Sequence, residues 1–276
     1  AEFWTLVNHG FHHQYMVNTL QLNNGNGTFS DIGHLAGIDR TDWSWAPLFV
    51  DLDNDGWKDL YITNGIARDI NNSDFRQGCK DLNKRENPAP VGYGTLMDKA
   101  PSSVVNNVVF RNRGDLTFEA AMEPWGYQHA VNATGAAYAD LDRDGDMDLV
   151  TVNQNAQASV VRNQCRETRK GHYLQVALVG TSANPNAIGT GVSVHAAAGA
   201  QFNELYLSRG YQSSVEPLIH FGLAEAQIDS LVVDWYDGTR SVIVAPSADQ
   251  RLQVRMADVP RRPRPDRPTP EPLFVE

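Results

Sequence analysis

The chain has 276 residues, 41% of them hydrophobic, and a formal net charge of −10. That length supports one large or two ordinary domains with real cores, and the acidic balance argues against a nucleic-acid partner, which would want a basic face. No apolar run approaches a membrane span and no signal peptide is visible, so Ala1-Glu2-Phe3-Trp4 reads as mature or truncated sequence.

In chain order, Trp4-Thr5-Leu6-Val7-Asn8 has the texture of an outgoing strand. His9, His12 and His13 lack a companion cluster and read as surface or strand histidines. Asn18–Leu22 is the next predicted strand, and Asn23-Asn24-Gly25-Asn26-Gly27 is a turn rich in residues that tolerate positive φ. Thr28-Phe29 opens a second strand, and Ala46–Val50 is a third. Then comes Asp51-Leu52-Asp53-Asn54-Asp55-Gly56-Trp57-Lys58-Asp59, followed by the short β-rich run Leu60–Thr63.

From about Ile66 to Asn106 the chain makes a polar excursion containing Pro88 and Pro90, with a short helix expected at Thr95–Lys99. After it the pattern returns. Val108–Arg111 is a strand, Asn112–Asp115 a turn, Thr117-Phe118 a strand start, and Gly135–Ala139 a strand that leads into Asp140-Leu141-Asp142-Arg143-Asp144-Gly145-Asp146-Met147-Asp148. Leu149–Val152 follows, and Ala158–Asn163 opens a further unit. Asp51 and Asp140 stand 89 positions apart, and a shift of 89 also lays Asn18 on Asn107, Gly25 on Gly114, Gly37 on Gly126 and Asn64 on Asn153. Such self-similarity signals a repeated supersecondary unit, and four short strands per unit suggest propeller blades.

Each acidic loop places carboxylates at positions 1, 3, 5 and 9 with glycine at 6. Two unit charges ~4 Å apart near a protein surface repel by about 4 kcal/mol, so the crowding calls for a cation. Alternating aspartates supply the 6–8 oxygens, at roughly 2.3–2.6 Å, that Ca²⁺ takes. The predicted ligands are Asp51, Asp53, Asp55, the Trp57 carbonyl and Asp59 in the first loop, and Asp140, Asp142, Asp144, the Asp146 carbonyl and Asp148 in the second. Position 7 needs only its backbone oxygen. The loops are not EF-hands: position 12 is Ile62 or Thr151 where that motif needs glutamate, and strands rather than helices flank them. Two bound Ca²⁺ would take the net charge from −10 to −6.

From about Gly171 the texture changes to many short strands: Tyr173–Val179, Gly189–His195, Asn203–Leu207 with Arg209–Ser214 after it, Ile219–Leu223, Ser230–Trp235, Arg240–Val244 beyond the Asp237-Gly238 turn, and Gln250–Val254. That spacing indicates a β-sandwich-like module. The last residues, Pro260-Arg261-Arg262-Pro263-Arg264-Pro265 and onward, form an extended basic tail or tether. Cys79 and Cys165 fit no zinc or redox spacing, and both a disulfide and free thiols are compatible with the sequence.

Asn23–Phe29 together with Phe49–Leu60 resembles the FG-GAP/VCBS repeats, the blades also seen in integrin α subunits. Ile188-Gly189, Gly210–Ser213, His220-Phe221-Gly222-Leu223, Asp229–Trp235 and Asp237-Gly238 are together similar to the ASPIC/UnbV module. The resemblance implies an all-β chain: a partial β-propeller over 1–165 with an insertion at about 66–106, an ASPIC/UnbV-like β module over 170–257, and a Pro/Arg-rich tail over 258–276. It implies an extracellular or cell-surface calcium-stabilised scaffold, with a protein or glycan ligand as partner. The insertion around Phe75 resembles versions in Bacteroidetes surface proteins encoded near glycan-uptake systems, which makes an outer-membrane surface complex the alternative partner. No Gly-x-Ser-x-Gly, His-Glu-x-x-His or Walker pattern occurs. A non-enzyme is therefore expected, with a polysaccharide lyase or glycosidase as the rival. Trp43, Trp45, Trp57 and Tyr61 near the first loop read as blade core rather than sugar-stacking surface, and His220 as a satisfied core residue.

Overall fold

The computed structural model describes residues 2–11, 13, 15–83, 93–168 and 171–265. His12, Pro88 and Pro90 of the insertion and the tail beyond residue 265 lie outside the described residues. The chain is mostly β and divides into two compact units that do not follow sequence order. The first holds Ala1–Leu48, Asp59–Gly135 and Val152–Gln157; the second holds Phe49–Lys58, Ala136–Thr151 and Ala158–Glu276.

The repeat region runs α1 (Glu2–Asn8), β1 (Gln21–Asn23), β2 (Phe29–Asp31), α2 (Gly33–Ala36), β3 (Ser44–Val50), β4 (Asp59–Asn64), α3 (Ser73–Asn83), α4 (Tyr93–Asp98), β5 (Val108–Asn112), β6 (Phe118–Ala120), β7 (Ala133–Ala139), β8 (Asp148–Asn153) and β9 (Ser159–Val161). The 89-residue shift is visible in the elements themselves: it carries β3 onto β7 and β4 onto β8 residue for residue. The blade, however, is not the sequence repeat. One four-stranded sheet has the order β3-β4-β5-β6, so the last two strands of one repeat pair with the first two of the next. Leu60 faces Phe110 and Tyr61 faces Val109 across β4 and β5, and Leu149 faces Val161 across β8 and β9. Every residue of β4 is buried, so it needs a partner strand on its open edge, and β5 supplies it despite the long insertion between them.

Two local expectations are corrected. Trp4–Asn8 is helical, not a strand, with the backbone N–H and Nδ1 of His9 both reaching the Thr5 carbonyl at 3.2 and 2.7 Å. A strand preference is realised only against a neighbour, and local hydrogen bonding fills the gap. The insertion carries an unforeseen helix, α3, whose start is signalled by Asn72: its side chain accepts the N–H groups of Asp74 and Phe75 at 3.1 and 3.0 Å.

Ala36, Ile38, Leu60, Ile62 and Phe110 form a core of the first unit, with Leu20, Val108 and Phe118 packed on it. Tyr61, fully buried, exchanges a 2.8 Å hydroxyl hydrogen bond with Tyr127.

Beyond α5 (Cys165–Thr168) come β10 (His172–Val179), β11 (Gly191–Ala196), β12 (Gly199–Glu204), β13 (Ile219–Leu223), β14 (Ser230–Asp234), β15 (Thr239–Val244), β16 (Gln250–Arg255) and β17 (Arg262–Pro263). They form two sheets, β13-β10-β16 and β12-β11-β14-β15-β17. Leu174, Val176 and Phe221 from the first and Val192, Leu231 and Val233 from the second share one buried core, which makes the module sandwich-like. β10 and β16 pair in parallel, a long-range pairing that strand spacing cannot reveal. The predicted strand at Asn203–Leu207 lies earlier, at Gly199–Glu204, and Arg209–Ser214 contributes only an isolated bridge between Ser208 and Ser214. The start of the basic tail is not a free tether. β17 adds to the edge of β15, and Arg261 and Arg264 meet Asp237 and Asp234 at 2.9 and 3.6 Å. Cys79 and Cys165 are free thiols.

Leu174 is fully buried at the centre of the sandwich core. Leu174→Ala is expected to lower the unfolding free energy by about 2–5 kcal/mol, read from the urea midpoint at unchanged m-value.

Candidate metal centre

The two acidic loops are built alike. Position 4 is left-handed in both, Asn54 at φ 55° and Arg143 at φ 64°, and position 6 needs glycine, Gly56 at φ 95° and Gly145 at φ 98°. The position-1 carboxylate folds the loop around itself. Asp51 accepts the N–H groups of Asp55 and Gly56 at 3.2 and 2.8 Å, and Asp140 accepts those of Asp144 and Gly145 at 3.1 and 3.1 Å. Position 5 accepts the N–H of position 7, Asp55 from Trp57 at 2.9 Å and Asp144 from Asp146 at 3.2 Å. Position 9 ties the loop to the following strand: Asp59 accepts the N–H of Asn112 at 2.9 Å, and Asp148 that of Asn163 at 2.7 Å.

In the first loop Asp51, Asp53 and Asp59, all buried, bring carboxylate oxygens within 4.8 Å of one another. In the second loop Asp140, Asp142 and Asp144 do so, and Asp144, Asp146 and Glu167 form an overlapping group. The difference has a cause. Arg162 reaches Asp142 at 2.5 Å, Asp144 at 3.1 Å and Glu167 at 2.5 Å, so its guanidinium draws the second set together. These hydrogen bonds hold the Asp142 carboxyl below its usual range.

Position 7 was expected to matter only through its backbone oxygen. The Trp57 side chain is 53% exposed, whereas the Asp146 carboxylate is fully buried. Its Oδ2 accepts the Arg166 N–H at 3.0 Å, and its Oδ1 has no hydrogen-bond partner among the described residues. Burial, followed by the charges of Asp144 and Asp148, pushes the Asp146 carboxyl up to about 7. All-oxygen donor sets, buried in the first loop and half-buried to exposed in the second, with the orphaned Asp146 oxygen beside the second, fit a hard divalent cation. Asp51, Asp53 and Asp59 would hold it in the first loop and Asp140, Asp142 and Asp144 in the second, and it would supply the positive charge that these carboxylates lack.

Both loops lie against the β13-β10-β16 sheet within the second unit. The Asn54 amide donates to the Gly145 carbonyl at 3.2 Å, and its oxygen meets His220 Nε2 at 2.8 Å. Gln175 donates to Asp140 at 2.6 Å, and Asn163 to the Leu52 carbonyl at 2.8 Å. Glycines mark the closest approaches: a Cβ on Gly222 would stand 2.1 Å from Asp51 Oδ2, and one on Gly145 2.0 Å from the Tyr173 ring.

Comparison with known families assigns both parts. Residues 7–62 and 100–151 match the FG-GAP-like repeat, and residues 180–261 match the ASPIC and UnbV domain. The chain carries FG-GAP-like repeats followed by an ASPIC/UnbV domain. It is 27% identical over 261 residues to cartilage acidic protein 1 of Xenopus tropicalis, covering 82% of this chain and 39% of that protein. To the mouse protein of the same name it is 26% identical over 254 residues, covering 80% and 38% respectively. The chain thus spans about two fifths of the length of these relatives.

The His220-Phe221-Gly222-Leu223 motif of the ASPIC/UnbV domain now has a local meaning. His220 holds Asn54, Phe221 fills the core, and Gly222 leaves room for Asp51. Sequence reasoning read His220 as a satisfied core residue; its Nε2 is paired with Asn54 on a repeat loop, for which an asparagine at position 4 was the available signal, but its buried Nδ1 has no hydrogen-bond partner among the described residues. It also missed Glu167, Arg162 and Gln175, which reach the acidic loops from other elements. Of the aromatics read as blade core, Tyr61 is buried, while Trp43 and Trp57 are exposed. Beside the first loop, burial and then the charge of Arg209 push the Lys58 ammonium down to about 8, against the opposing pull of Asp51.

Gly222→Ala is expected to destabilise the chain by about 1–3 kcal/mol and to weaken divalent-cation binding, checked by denaturation and calorimetric titration. Burial lowers the His220 pKa from 6.5 to about 3. With a depressed folded-state pKa, its neutral form contributes stability that is present above pH 6.5 and lost as pH falls toward about 3. The slope of unfolding free energy against pH across that window should therefore flatten in His220→Gln, measured against the parent at matched temperature.

Proposed function

We propose that the chain is an extracellular or cell-surface recognition scaffold whose two acidic loops bind structural Ca²⁺. The observation that carries this reading is the buried trio Asp51, Asp53 and Asp59 converging in a loop whose backbone is duplicated at Asp140–Asp148. Calcium there offsets the mutual repulsion of the carboxylates and fixes the faces that the loops present. Among the described residues no helix is long and apolar enough to cross a membrane. A binding role also suits the carboxylates better than a polysaccharide lyase or glycosidase would, since oxygens used as metal ligands are unavailable as acid and base. The partner is a protein or a glycan at a surface, and an outer-membrane assembly is one setting in which it would meet one.

The test is a calcium-dependent melt. At 100-fold excess over its dissociation constant each ion contributes about 2.7 kcal/mol, so calcium should raise the melting temperature and chelator should reverse the rise. Asp53→Asn and Asp142→Asn should each remove part of the increment. A melting temperature indifferent to both calcium and chelator would overturn the reading.

A further inference from the structure

One end of the sandwich is left open. Val194 of β11 and Leu223 of β13 belong to the core that the two sheets share, and both are buried. Beyond them the filling stops. Ala196 faces Gly199 across β11 and β12, on the same side as the Val194–Gln201 pair, so the core face ends in residues too small to close it. A cavity of about 260 Å³ remains there, with Asp55, Gly56 and Trp57 of the first acidic loop as its third wall. That wall packs closely: a Cβ on Gly56 would stand 3.2 Å from Gln201 Nε2, which itself donates to the Gly222 carbonyl at 2.7 Å. A cavity of about 150 Å³ holds benzene, so this one has room for one branched or aromatic side chain.

Floor and rim differ in chemistry. The buried residues at the floor are apolar, Val194 and Leu223. The rim carries the half-buried Asp55, which is not one of the three converging carboxylates of its loop, and the exposed Glu225. Among the described residues no lysine, arginine or histidine lines the cavity, and Glu225 makes no ion pair. Lys58 reaches the Phe202 carbonyl at 3.4 Å and lines a different cavity. The Trp57 indole, 53% exposed, stacks on no other ring among the described residues.

An apolar floor under an acidic, aromatic rim fits a peptide in which an apolar side chain stands next to a basic one. The apolar side chain fills the open end of the core, and the cation lies across the rim, against Trp57 and Glu225. The net charge of −10 favours the approach of such a partner. The chain's own tail does not supply it. The tail leaves from β17, at the edge of the five-stranded sheet opposite β12, four strand spacings or about 19 Å away. Arg267, the one basic residue beyond residue 265, follows Pro263 by four positions, a reach of at most about 14 Å. The apolar run Leu273-Phe274-Val275 stands between Glu271 and Glu276, the wrong sign for this rim.

We propose that this cavity docks an apolar–basic segment of a partner protein, its apolar side chain over Val194 and Leu223 and its cation against Trp57 and Glu225. This rests on the recognition reading above and names the partner's chemistry. The test is an NMR titration of the isotope-labelled full chain, saturated with calcium, followed at the Trp57 indole N–H, which Trp57→Phe identifies. The probe is the blocked tetrapeptide Gly-Leu-Arg-Gly. Its controls replace the leucine by glycine or the arginine by glutamine, and glucosamine serves as a cationic sugar. Saturable binding of the leucine–arginine peptide is expected, at least about tenfold weaker without the leucine and about two- to fivefold weaker without the arginine. On the protein, Ala196→Leu should fill the cavity and weaken the peptide at least about tenfold, and Glu225→Gln should weaken it about two- to fivefold. Arg267→Gln combined with Phe274→Ser should leave it unchanged; tighter binding there would show the tail competing and overturn the partner assignment. No binding of the leucine–arginine peptide, equal binding of its controls, equal or tighter binding of glucosamine, or unchanged binding in folded Ala196→Leu would overturn the site. A melt of each variant reports folding, and if Ala196→Leu does not fold, the probe series on the parent chain decides the question. A separate calcium titration keeps the two readings apart: a flat one removes the calcium reading and leaves the peptide result intact.

Discussion

One carboxylate accepting two backbone N–H groups shapes each acidic loop. Asp51 and Asp140 turn the chain so sharply that position 4 adopts a left-handed conformation and position 6 must be glycine. The same turn brings the remaining carboxylates together, so the arrangement that satisfies the backbone creates an electrostatic debt. In the second loop Arg162 meets part of it with one guanidinium shared among three acids. In the first loop the trio is buried, and water cannot screen it.

The loops are also the joint on which the second unit is assembled. Asn54, turned outward by its left-handed backbone, reaches both Gly145 and His220, and Gly222 lets the Asp51 carboxylate lie against β13. Calcium in the first loop would then act at three levels. It would neutralise the trio, hold Asn54 toward His220, and set the directions in which Trp57 and Lys58 leave the loop.

The acidic loops were legible because their chemistry is local. Alternating aspartates with a glycine at fixed spacing mark the acidic turn, and a second copy 89 residues on repeats it. The strands flanking them were legible for the same reason. What the sequence hid was pairing. Whether β4 joins β5 or a strand of its own repeat is decided by which edge is open, and the 89-residue frame is silent on that. The parallel partnership of β10 and β16 depends on segments more than seventy residues apart. The helix at Glu2–Asn8 shows the converse, a β-rich stretch without a neighbour to make it a strand.

The same limit explains the site residues that escaped. Glu167, Arg162 and Gln175 carry no motif; they matter because folding sets them beside Asp144 and Asp140. Asp146 is the sharper case. Its place in the loop permits any residue, as Trp57 at the same place in the first loop demonstrates, yet burial makes its side chain costly there. A charged residue kept fully buried with one oxygen unsatisfied destabilises the metal-free chain and favours the loaded one, because only a cation or a proton relieves it. The two loops therefore differ in kind despite their shared backbone. The first uses position 7 to present an aromatic surface, and the second uses it to add charge beneath a helix that starts at Cys165. Duplication preserved the acidic turn and left position 7 free to take different work in each copy.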